Sequence, residues 1–593
     1  MKTKNLLIAV AFLLYALTAC QKDPVSAVDP FPFHLDDKKD RSVAPGDDFY
    51  QYCCGAWLAQ TPKPDFTPVG GLYSASPVMD ERLEQLIQKN PQVGCFFNMM
   101  ADALHHEDAS LRYINEKRDA IVAPKSLEEA YRMIGKMLAD GVPTLLDCYL
   151  VPLNGKVVLG LDPYRAPGKE TEASEPEDLV PLTKADAASP LQLIAEGMGV
   201  GMDKVFYNPS LDAALAKIPL SEFHDIMRNG WKNYELYARK SDVDLEELSA
   251  RARNLFNYPL SYYFAQEFVS ASVKEKYLGL TRSIRDTFRK RLEKVDWMSE
   301  TTRNNALKKL DAMKLLVAYP DEWQLDCIPD ITDCKTFVEM AHRLAKAKNQ
   351  LIIKLAGSED VFTQLILSYS KSPAGGYRQM DLLMVNALYY PDFNSIAIYP
   401  AVMLPPVVKA DVTAAADYAA FVTIGHEITH GFDSNGSKYD EKGNKRNWWT
   451  VADQMAFEER QQKLIRCYNH LAIDPAGHPG IYCDGARTLG ENIADLGGFL
   501  TVLDAYKDYL TQNGYSGETY NEQLRKFYEC YADYWCVQYS DPYWDILINT
   551  DVHAASRVRI NGVVMNTALW YDLYKVNRNH ILFLPEQQRT QIW

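Results

Sequence analysis

The feature that most constrains the fold is one stretch, residues 412–432, which reads VTAAADYAAFVTIGHEITHGF. Its alanine content and apolar spacing predict a buried helix that ends in HEITH. His426 and His430 are four residues apart, just over one helical turn, so both imidazoles project from one face and can hold one zinc ion at about 2.0 Å each. The chain must therefore form a helix that brings two ligands to one metal.

The glutamate within this motif supplies the reaction chemistry. Zinc lowers the pKa of a bound water towards about 7, and a nearby carboxylate can take the proton as hydroxide attacks a carbonyl. Glu427 follows His426 directly and is the predicted general base. Because HEITH also arises by chance, the prediction of peptide hydrolysis depends on residues elsewhere in the chain.

A catalytic zinc needs a third protein ligand and an open position for water. One arrangement places a glycine and another histidine shortly after the motif, but Asp433 and Gly436 stand at those positions here. The alternative is a glutamate from a second helix. Glu491, in the segment LGENIADLGG, follows His430 by 61 residues and is the predicted third ligand.

Asp495 lies four residues after Glu491 and shares its helical face. A carboxylate that accepts the second ring N–H of a ligating histidine fixes the tautomer and orientation of that ring. We therefore predict that Asp495 holds His426. Without the HEITH helix, the two acidic residues would be interpreted as a solvated helix face.

The N-terminus, MKTKNLLIAVAFLLYALTAC, has the plan of a secretory signal, with an apolar stretch too short to span a membrane as a helix. Its end, LTAC, resembles the lipobox of bacterial lipoproteins. We expect a signal peptide over 1–19, an acylated Cys20 that attaches the chain to the membrane, and a polar tether over 20–43. This predicts an exported bacterial lipoprotein of the outer membrane, facing the periplasm or the cell surface. The alternative is an ordinary signal followed by an incidental cysteine.

Charge and cysteine content restrict the partners and the compartment. The formal net charge of -15 argues against a nucleic-acid partner, since phosphate binding needs a basic face. Ten of the eleven cysteines remain after Cys20 is set aside. In an oxidising compartment they allow up to five disulfides, whose pairing the sequence alone does not specify.

The rest of the chain is predicted to be mainly helical. From about residue 211 to 313, apolar residues recur at helical spacing among charges. Strand signals are confined to short stretches, among them LLDCYLVPL, KVVLGLDP and DLLMVNALYYPDFNSIAIYPAVMLPP. The acidic segment 166–178 is typical of a solvated surface loop. These patterns predict a mainly α fold with a small β-sheet.

Two segments around the predicted ligands, GHEITHGFDSNG and GENIADLGG, resemble the neprilysin family (M13) of zinc peptidases, which includes bacterial PepO-type oligopeptidases. Further similar segments are SVAPGDDFYQYCCGAWL, VDWMSETTRNNALKKLDAM followed by YPDEW, VNALYYPDFNSIAIYPAVMLPP and PEQQRTQIW. They run from about Asp40 to Trp593, so the resemblance covers nearly the whole mature chain.

The resemblance implies a metalloendopeptidase that cleaves short peptides and is built as a two-domain zincin of the gluzincin type. The expected catalytic domain comprises 44–75 and 355–593, and a helical second domain over 76–354 would enclose a central cavity. Such a cavity would admit peptides and exclude folded proteins. We expect a monomer with one zinc ion per chain.

The resemblance also assigns residues that contact substrate. Asn386 and Ala387 match an edge strand against which the substrate backbone lies. His553 matches a histidine that donates to the oxyanion, and Arg559 matches an arginine that grips a substrate carbonyl. Taken alone, Asn386 would be interpreted as a turn residue, His553 as a core histidine and Arg559 as a surface charge.

Specificity and one disulfide are implied in the same way. Cys54 is expected to pair with Cys536. Trp535 would line an apolar pocket for the residue after the cut, favouring cleavage on the amino side of hydrophobic residues, although a plain core tryptophan explains it equally well. Members with dipeptidyl carboxypeptidase character carry an arginine that residues 64–80 lack, so we expect endopeptidase action.

Two other functions remain to be weighed. A peptide-capturing lipoprotein could keep the fold without activity, but every residue needed for catalysis is present. A zinc aminopeptidase shares HExxH and a glutamate ligand, yet it needs an acidic anchor for the substrate amine and usually a shorter gap to the third ligand. The sequence favours the endopeptidase.

Overall fold

The computed structural model describes residues 35–103, 107–164, 178–183, 189–238, 245–367, 369–371, 377–379, 381–408 and 413–593. The expected signal peptide, the acylated Cys20 and the first part of the tether lie outside these residues, as does nearly all of the acidic loop. Within the described ranges, no helix has both the length and the apolar character needed to cross a membrane.

Helices dominate the described chain, which confirms the predicted fold class. The α-helices are α1 (Leu35–Lys38), α2 (Phe49–Gln60), α3 (Ala75–Lys89), α4 (Pro91–Asp102), α5 (Glu107–Asp119), α6 (Leu127–Ala139), α7 (Pro190–Met198), α8 (Ser210–Leu215), α9 (Leu220–Gly230), α10 (Leu245–Phe268), α11 (Ala271–Lys294), α12 (Glu300–Ala312), α13 (Phe337–Leu355), α14 (Val361–Leu367), α15 (Ala414–His430), α16 (Val451–Tyr468), α17 (Leu489–Gln512), α18 (Gly517–Tyr534), α19 (Asp541–Asn549), α20 (Ser556–Val564) and α21 (Ala568–Tyr574).

In the part of the chain that the structure describes, the strands are short and form four small sheets. They are β1 (Val69–Gly70), β2 (Leu146–Leu153), β3 (Lys156–Pro163), β4 (Val180–Pro181), β5 (Val205–Tyr207), β6 (Lys314–Val317), β7 (Tyr369–Lys371), β8 (Tyr377–Gln379), β9 (Ala387–Tyr390), β10 (Ser395–Ile398) and β11 (Val537–Gln538). The strand orders are β1-β11, β6-β10-β9, β2-β3-β5-β4 and β7-β8.

The chain divides into two compact units. Among the described residues, unit 1 comprises Asp80–Phe268 and Tyr319–Leu382. Unit 2 comprises the residues from 35 to 79, Val269–Ala318 and Leu383–Trp593. Each unit is made of segments that are distant in the sequence.

This division differs from the expected one in three segments. Residues 269–318 belong with the metal-binding helix in unit 2, because β6 pairs in parallel with β10 and α11 packs on α15 and α17. Residues 355–382 belong to unit 1, where Val157 exchanges backbone hydrogen bonds with Gly357 and Ser358 and α14 packs on α10. The first boundary falls after residue 79 rather than 75.

Unit 1 contains two of the predicted strands, β2 and β3. They form an antiparallel hairpin in which Leu153 is opposite Lys156. Asn154 and Gly155 join the strands with φ angles of 51° and 80°. Two consecutive left-handed residues match the right-handed twist of a hairpin, and Asn-Gly is the dipeptide that adopts them most readily.

Unit 2 is built around a close crossing of α15 and α17. The two helices touch at Gly425 and Gly498, and a methyl group added to Gly498 would lie 2.4 Å from the backbone nitrogen of His426. Glycine at this point lets the backbones approach each other. The crossing therefore places residues of α17 beside the histidines at the end of α15.

Candidate metal centre

The structure brings the three predicted ligands together. One side-chain donor atom from each of His426, His430 and Glu491 lies within 4.8 Å of the others. The two histidines project from the last turn of α15, and the glutamate lies in the first turn of α17. The four-residue spacing and the glycine crossing thus place three metal-binding groups at one point.

Two carboxylates orient the histidine rings. Asp495 Oδ1 lies 2.9 Å from His426 Nδ1, as predicted, and Asp433 Oδ2 lies 2.6 Å from His430 Nδ1. Since an ionised carboxylate can only accept, each Nδ1 carries the proton and each Nε2 presents a lone pair. The role of Asp433 was not predicted, although its place three residues after His430 at the end of the helix could have indicated it.

The remaining lone pairs converge on a common point that suits a cation. His426 Nε2 and His430 Nε2 are 2.9 Å apart. Glu491 Oε2 is buried without a well-formed hydrogen bond, 3.2 Å from Nε2 of His426 and 3.6 Å from Nε2 of His430. Two imidazole nitrogens and a carboxylate oxygen are the ligands of many catalytic zinc sites, so these residues fit the expected metal.

Glu427 lies next to this cluster on α15 and is 5% exposed. Burial raises the pKa of Glu427, while the nearby His426 and His430 rings lower it and the net direction is upward. A carboxyl group with a raised pKa is better suited to accept a proton near neutral pH. The position and environment of Glu427 are those expected of a general base.

Arg559 forms a buried ion pair with Asp495. Its Nε lies 2.7 Å from Asp495 Oδ2 and its Nη2 lies 2.6 Å from Asp495 Oδ1, and both residues are buried. Burial disfavours the charge of Asp495, but Arg559 and the His426 ring lower its pKa to about 2. The guanidinium carbon also lies 3.8 Å from the centre of the Trp535 ring. The structure thus gives Arg559 a role in holding Asp495, and its predicted contact with substrate stays a prediction.

His553 lies beside the metal-binding cluster. Its Nε2 is 3.2 Å from Glu491 Oε2, and its side chain is 44% exposed. Asp551 Oδ1 lies 2.7 Å from His553 Nδ1 and also accepts the backbone N–H of His553 at 2.8 Å. Asp551, whose role was not predicted, therefore orients the ring. The spacing Asp-x-His was the available signal.

The expected substrate strand lies near the same helix. β9 begins at Ala387 and is at the edge of its described sheet, paired with β10 alone. α15 packs against β9. Asn386 precedes the strand, and its Oδ1 accepts the N–H of Ala387 at 3.0 Å. An edge strand beside the metal-binding helix has the position needed for adding a peptide as a further strand.

Cys54 and Cys536 are both buried, and burial together with the neighbouring Cys536 thiol raises the pKa of Cys54 well above its usual value. They are present as separate thiols. This proximity agrees with the expected pairing, while the disulfide itself stays a prediction.

The chain is similar in sequence to known zinc peptidases. Family models described as peptidase family M13 match residues 214–320 and 386–590. The neutral endopeptidase of Lactococcus lactis is 26% identical over 356 residues, which are 60% of this chain and 51% of that protein. Human neprilysin is 29% identical over 332 residues, covering 53% of this chain and 41% of neprilysin. The chain therefore spans about half the length, or less, of these two curated relatives.

A solved structure shares the fold over almost the whole chain. The zinc metalloprotease Zmp1 of Mycobacterium tuberculosis, in its open state, superposes with a TM-score of 0.72 at 20% identity. The match covers 93% of this chain and 100% of that one. The common fold thus includes both the metal-binding helices and the helical segments before them.

Proposed function

Because the chain belongs to peptidase family M13, we propose that it is a zinc-dependent endopeptidase that hydrolyses short peptides. The observation that carries the proposal is the convergence of His426 Nε2, His430 Nε2 and Glu491 Oε2 next to the buried Glu427. The Nδ1 of each histidine donates its proton to a carboxylate, so the lone pair of each Nε2 is directed at one point.

The reaction follows from the roles of the side chains. When bound, zinc acts as a Lewis acid that polarises the scissile carbonyl and lowers the pKa of a water to about 7. Glu427 takes the proton of the attacking water and passes it to the departing amine. His553 carries a proton on Nδ1, which faces Asp551, and as an imidazolium it also donates from Nε2 to the oxygen that gains negative charge.

The substrate would bind as an added strand along β9. Its backbone would pair with the free edge of that strand, and Asn386 would contact it with a side-chain amide. The half-buried Trp535 would offer an apolar surface for the residue after the cut. We therefore expect internal cleavage on the amino side of hydrophobic residues.

Export and lipid attachment at Cys20 are further proposals. They rest on the sequence of residues 1–20, which lie outside the described part of the chain.

The proposed specificity is tested with a library of fluorogenic peptides blocked at both ends, with cut positions mapped by mass spectrometry. We expect cleavage inside the peptides, with Phe or Leu after the cut preferred to Asp or Ser. Matched peptides with a free amine are assayed alongside, and hydrolysis of these alone would favour an aminopeptidase. Peptide binding without hydrolysis by the zinc-loaded protein would favour the inactive capture protein.

A further inference from the structure

A buried lysine lies next to the turn that follows the metal-binding helix. Lys309, on α12, is 1% exposed. Its Nζ donates to the carbonyl oxygens of Gly436 at 2.6 Å and Tyr439 at 2.8 Å. It also lies 5.8 Å from the ring centre of Tyr389 and 5.7 Å from that of Phe432. Burying an amine costs free energy unless it is hydrogen-bonded, and lysine is rarely buried in this way.

The contact of Lys309 with Gly436 is connected through Asp433 to His430, one of the predicted metal ligands. Gly436, whose carbonyl Lys309 holds, donates its N–H to Asp433 Oδ1 at 2.6 Å. The other oxygen of Asp433 lies 2.6 Å from His430 Nδ1. The turn is packed tightly on the helix end, since a methyl group on Gly436 would lie 1.9 Å from the carbonyl oxygen of His430. Lys309 therefore restrains the turn that aims Asp433 at the ring.

The same lysine is tied to the expected substrate strand. Asn394, in the turn between β9 and β10, donates from Nδ2 to the backbone carbonyl of Lys309 at 2.9 Å. Its Oδ1 accepts from the hydroxyl of Tyr389, which is on β9, at 3.1 Å. Asn394 is fully buried in a left-handed conformation with φ 44°. Through its Nζ, Lys309 thus contacts the turn after α15 and the Tyr389 ring, and through its backbone carbonyl it contacts Asn394.

We propose that Lys309 is a positioning residue that fixes the imidazole of His430 relative to the strand β9. It acts on His430 through Gly436 and Asp433. This inference rests on the proposed peptidase function. Burial lowers the pKa of Lys309 to about 7, against the charges of Asp433 and Asp440. Both the ammonium and the neutral amine can donate to two carbonyl oxygens, so the role holds in either state.

A matched control lies next to it on the same helix. Lys308 is 64% exposed and pairs with Glu441 at 2.5 Å on the surface. Lys308→Met and Lys309→Met remove the same group from adjacent positions. Because surface ion pairs contribute little, the first change should leave the metal and substrate sites intact.

The experiment measures the zinc dissociation constant by chelator competition, and kcat and KM for a blocked fluorogenic peptide at saturating zinc. We expect Lys309→Met to raise the zinc dissociation constant about 10- to 100-fold, as loss of an outer partner of a ligand does. KM should rise as well, because the contact of Nζ with the Tyr389 ring on β9 is lost. Lys308→Met should change each value less than twofold. In a double-mutant cycle, Lys309→Met and Asp433→Asn should be non-additive for zinc affinity, because they act on the same ring.

Several results would overturn the proposal. A folded Lys309→Met protein with a lower Tm but unchanged zinc affinity and KM would make the lysine a purely structural residue. An additive cycle would exclude action through Asp433. If the methionine variant does not fold, Lys309→Gln is measured instead. Its side chain is one bond shorter and cannot hold both carbonyl oxygens as lysine does, so an unchanged zinc dissociation constant and KM would overturn the proposal in the same way. If wild type binds zinc but cleaves no peptide, the proposed function fails, while the affinity comparison still tests the positioning role.

Discussion

Replacing Glu427 with glutamine should lower kcat for peptide hydrolysis by about 10²- to 10⁴-fold, the usual contribution of a general base. Glutamine keeps the shape of the side chain and can still hydrogen-bond to a water, but it cannot take the proton. Glu427 is buried beside the metal ligands without being one of them, so zinc content should remain that of the wild type. Steady-state kinetics and metal analysis of the same purified sample check both expectations.

The matched control for this change is Glu459→Gln, an exposed glutamate on α16 that should retain full activity. A Glu427→Gln enzyme with normal zinc content and more than a tenth of wild-type kcat would show that another group accepts the proton. A variant that has lost its zinc would instead indicate that Glu427 helps to bind the metal.

Replacing Arg559 with methionine should lower the free energy of unfolding by about 3–5 kcal/mol. The change removes the partner of Asp495, and a buried carboxylate left without its counter-charge is strongly destabilising. Urea denaturation of the metal-free protein measures the effect without a contribution from zinc binding. Arg578→Met, at an exposed position, should change stability by less than about 0.5 kcal/mol.

A second variant separates the two roles assigned to Arg559. Adding Asp495→Asn to Arg559→Met removes the unpaired charge, so the double variant should recover part of the lost stability. If Arg559 served only to bind substrate, Arg559→Met would raise KM and leave the unfolding free energy unchanged. That outcome would contradict the structural role derived from its contacts with Asp495.

The metal ligands could be predicted because their signal is local. Spacing on one helix places His426 and His430 on one face, and the same argument placed Glu491 and Asp495 together on a second helix. The pairing of Asp495 with His426 followed from the chemistry of ligating imidazoles, and the structure has it at 2.9 Å. Residue types at a helical spacing indicate such ligands before the tertiary fold is known.

Other features depend on contacts between distant segments. The pairing of Arg559 with Asp495 and the burial of Lys309 arise only when separate helices pack, and neither residue differs in sequence from an ordinary surface charge. The place of residues 269–318 in unit 2 depends on the parallel pairing of β6 with β10, whose partners are far apart in the chain. Such pairing has no local pattern to indicate it.

Removal and return of the metal tests the central claim most directly. The protein is stripped of metal with a chelator, dialysed, and assayed on a doubly blocked fluorogenic peptide while zinc is added in substoichiometric steps. A site built from His426, His430 and Glu491 predicts no hydrolysis by the stripped protein and full recovery at one equivalent of zinc per chain. Undiminished hydrolysis by the metal-free protein would contradict the proposed function.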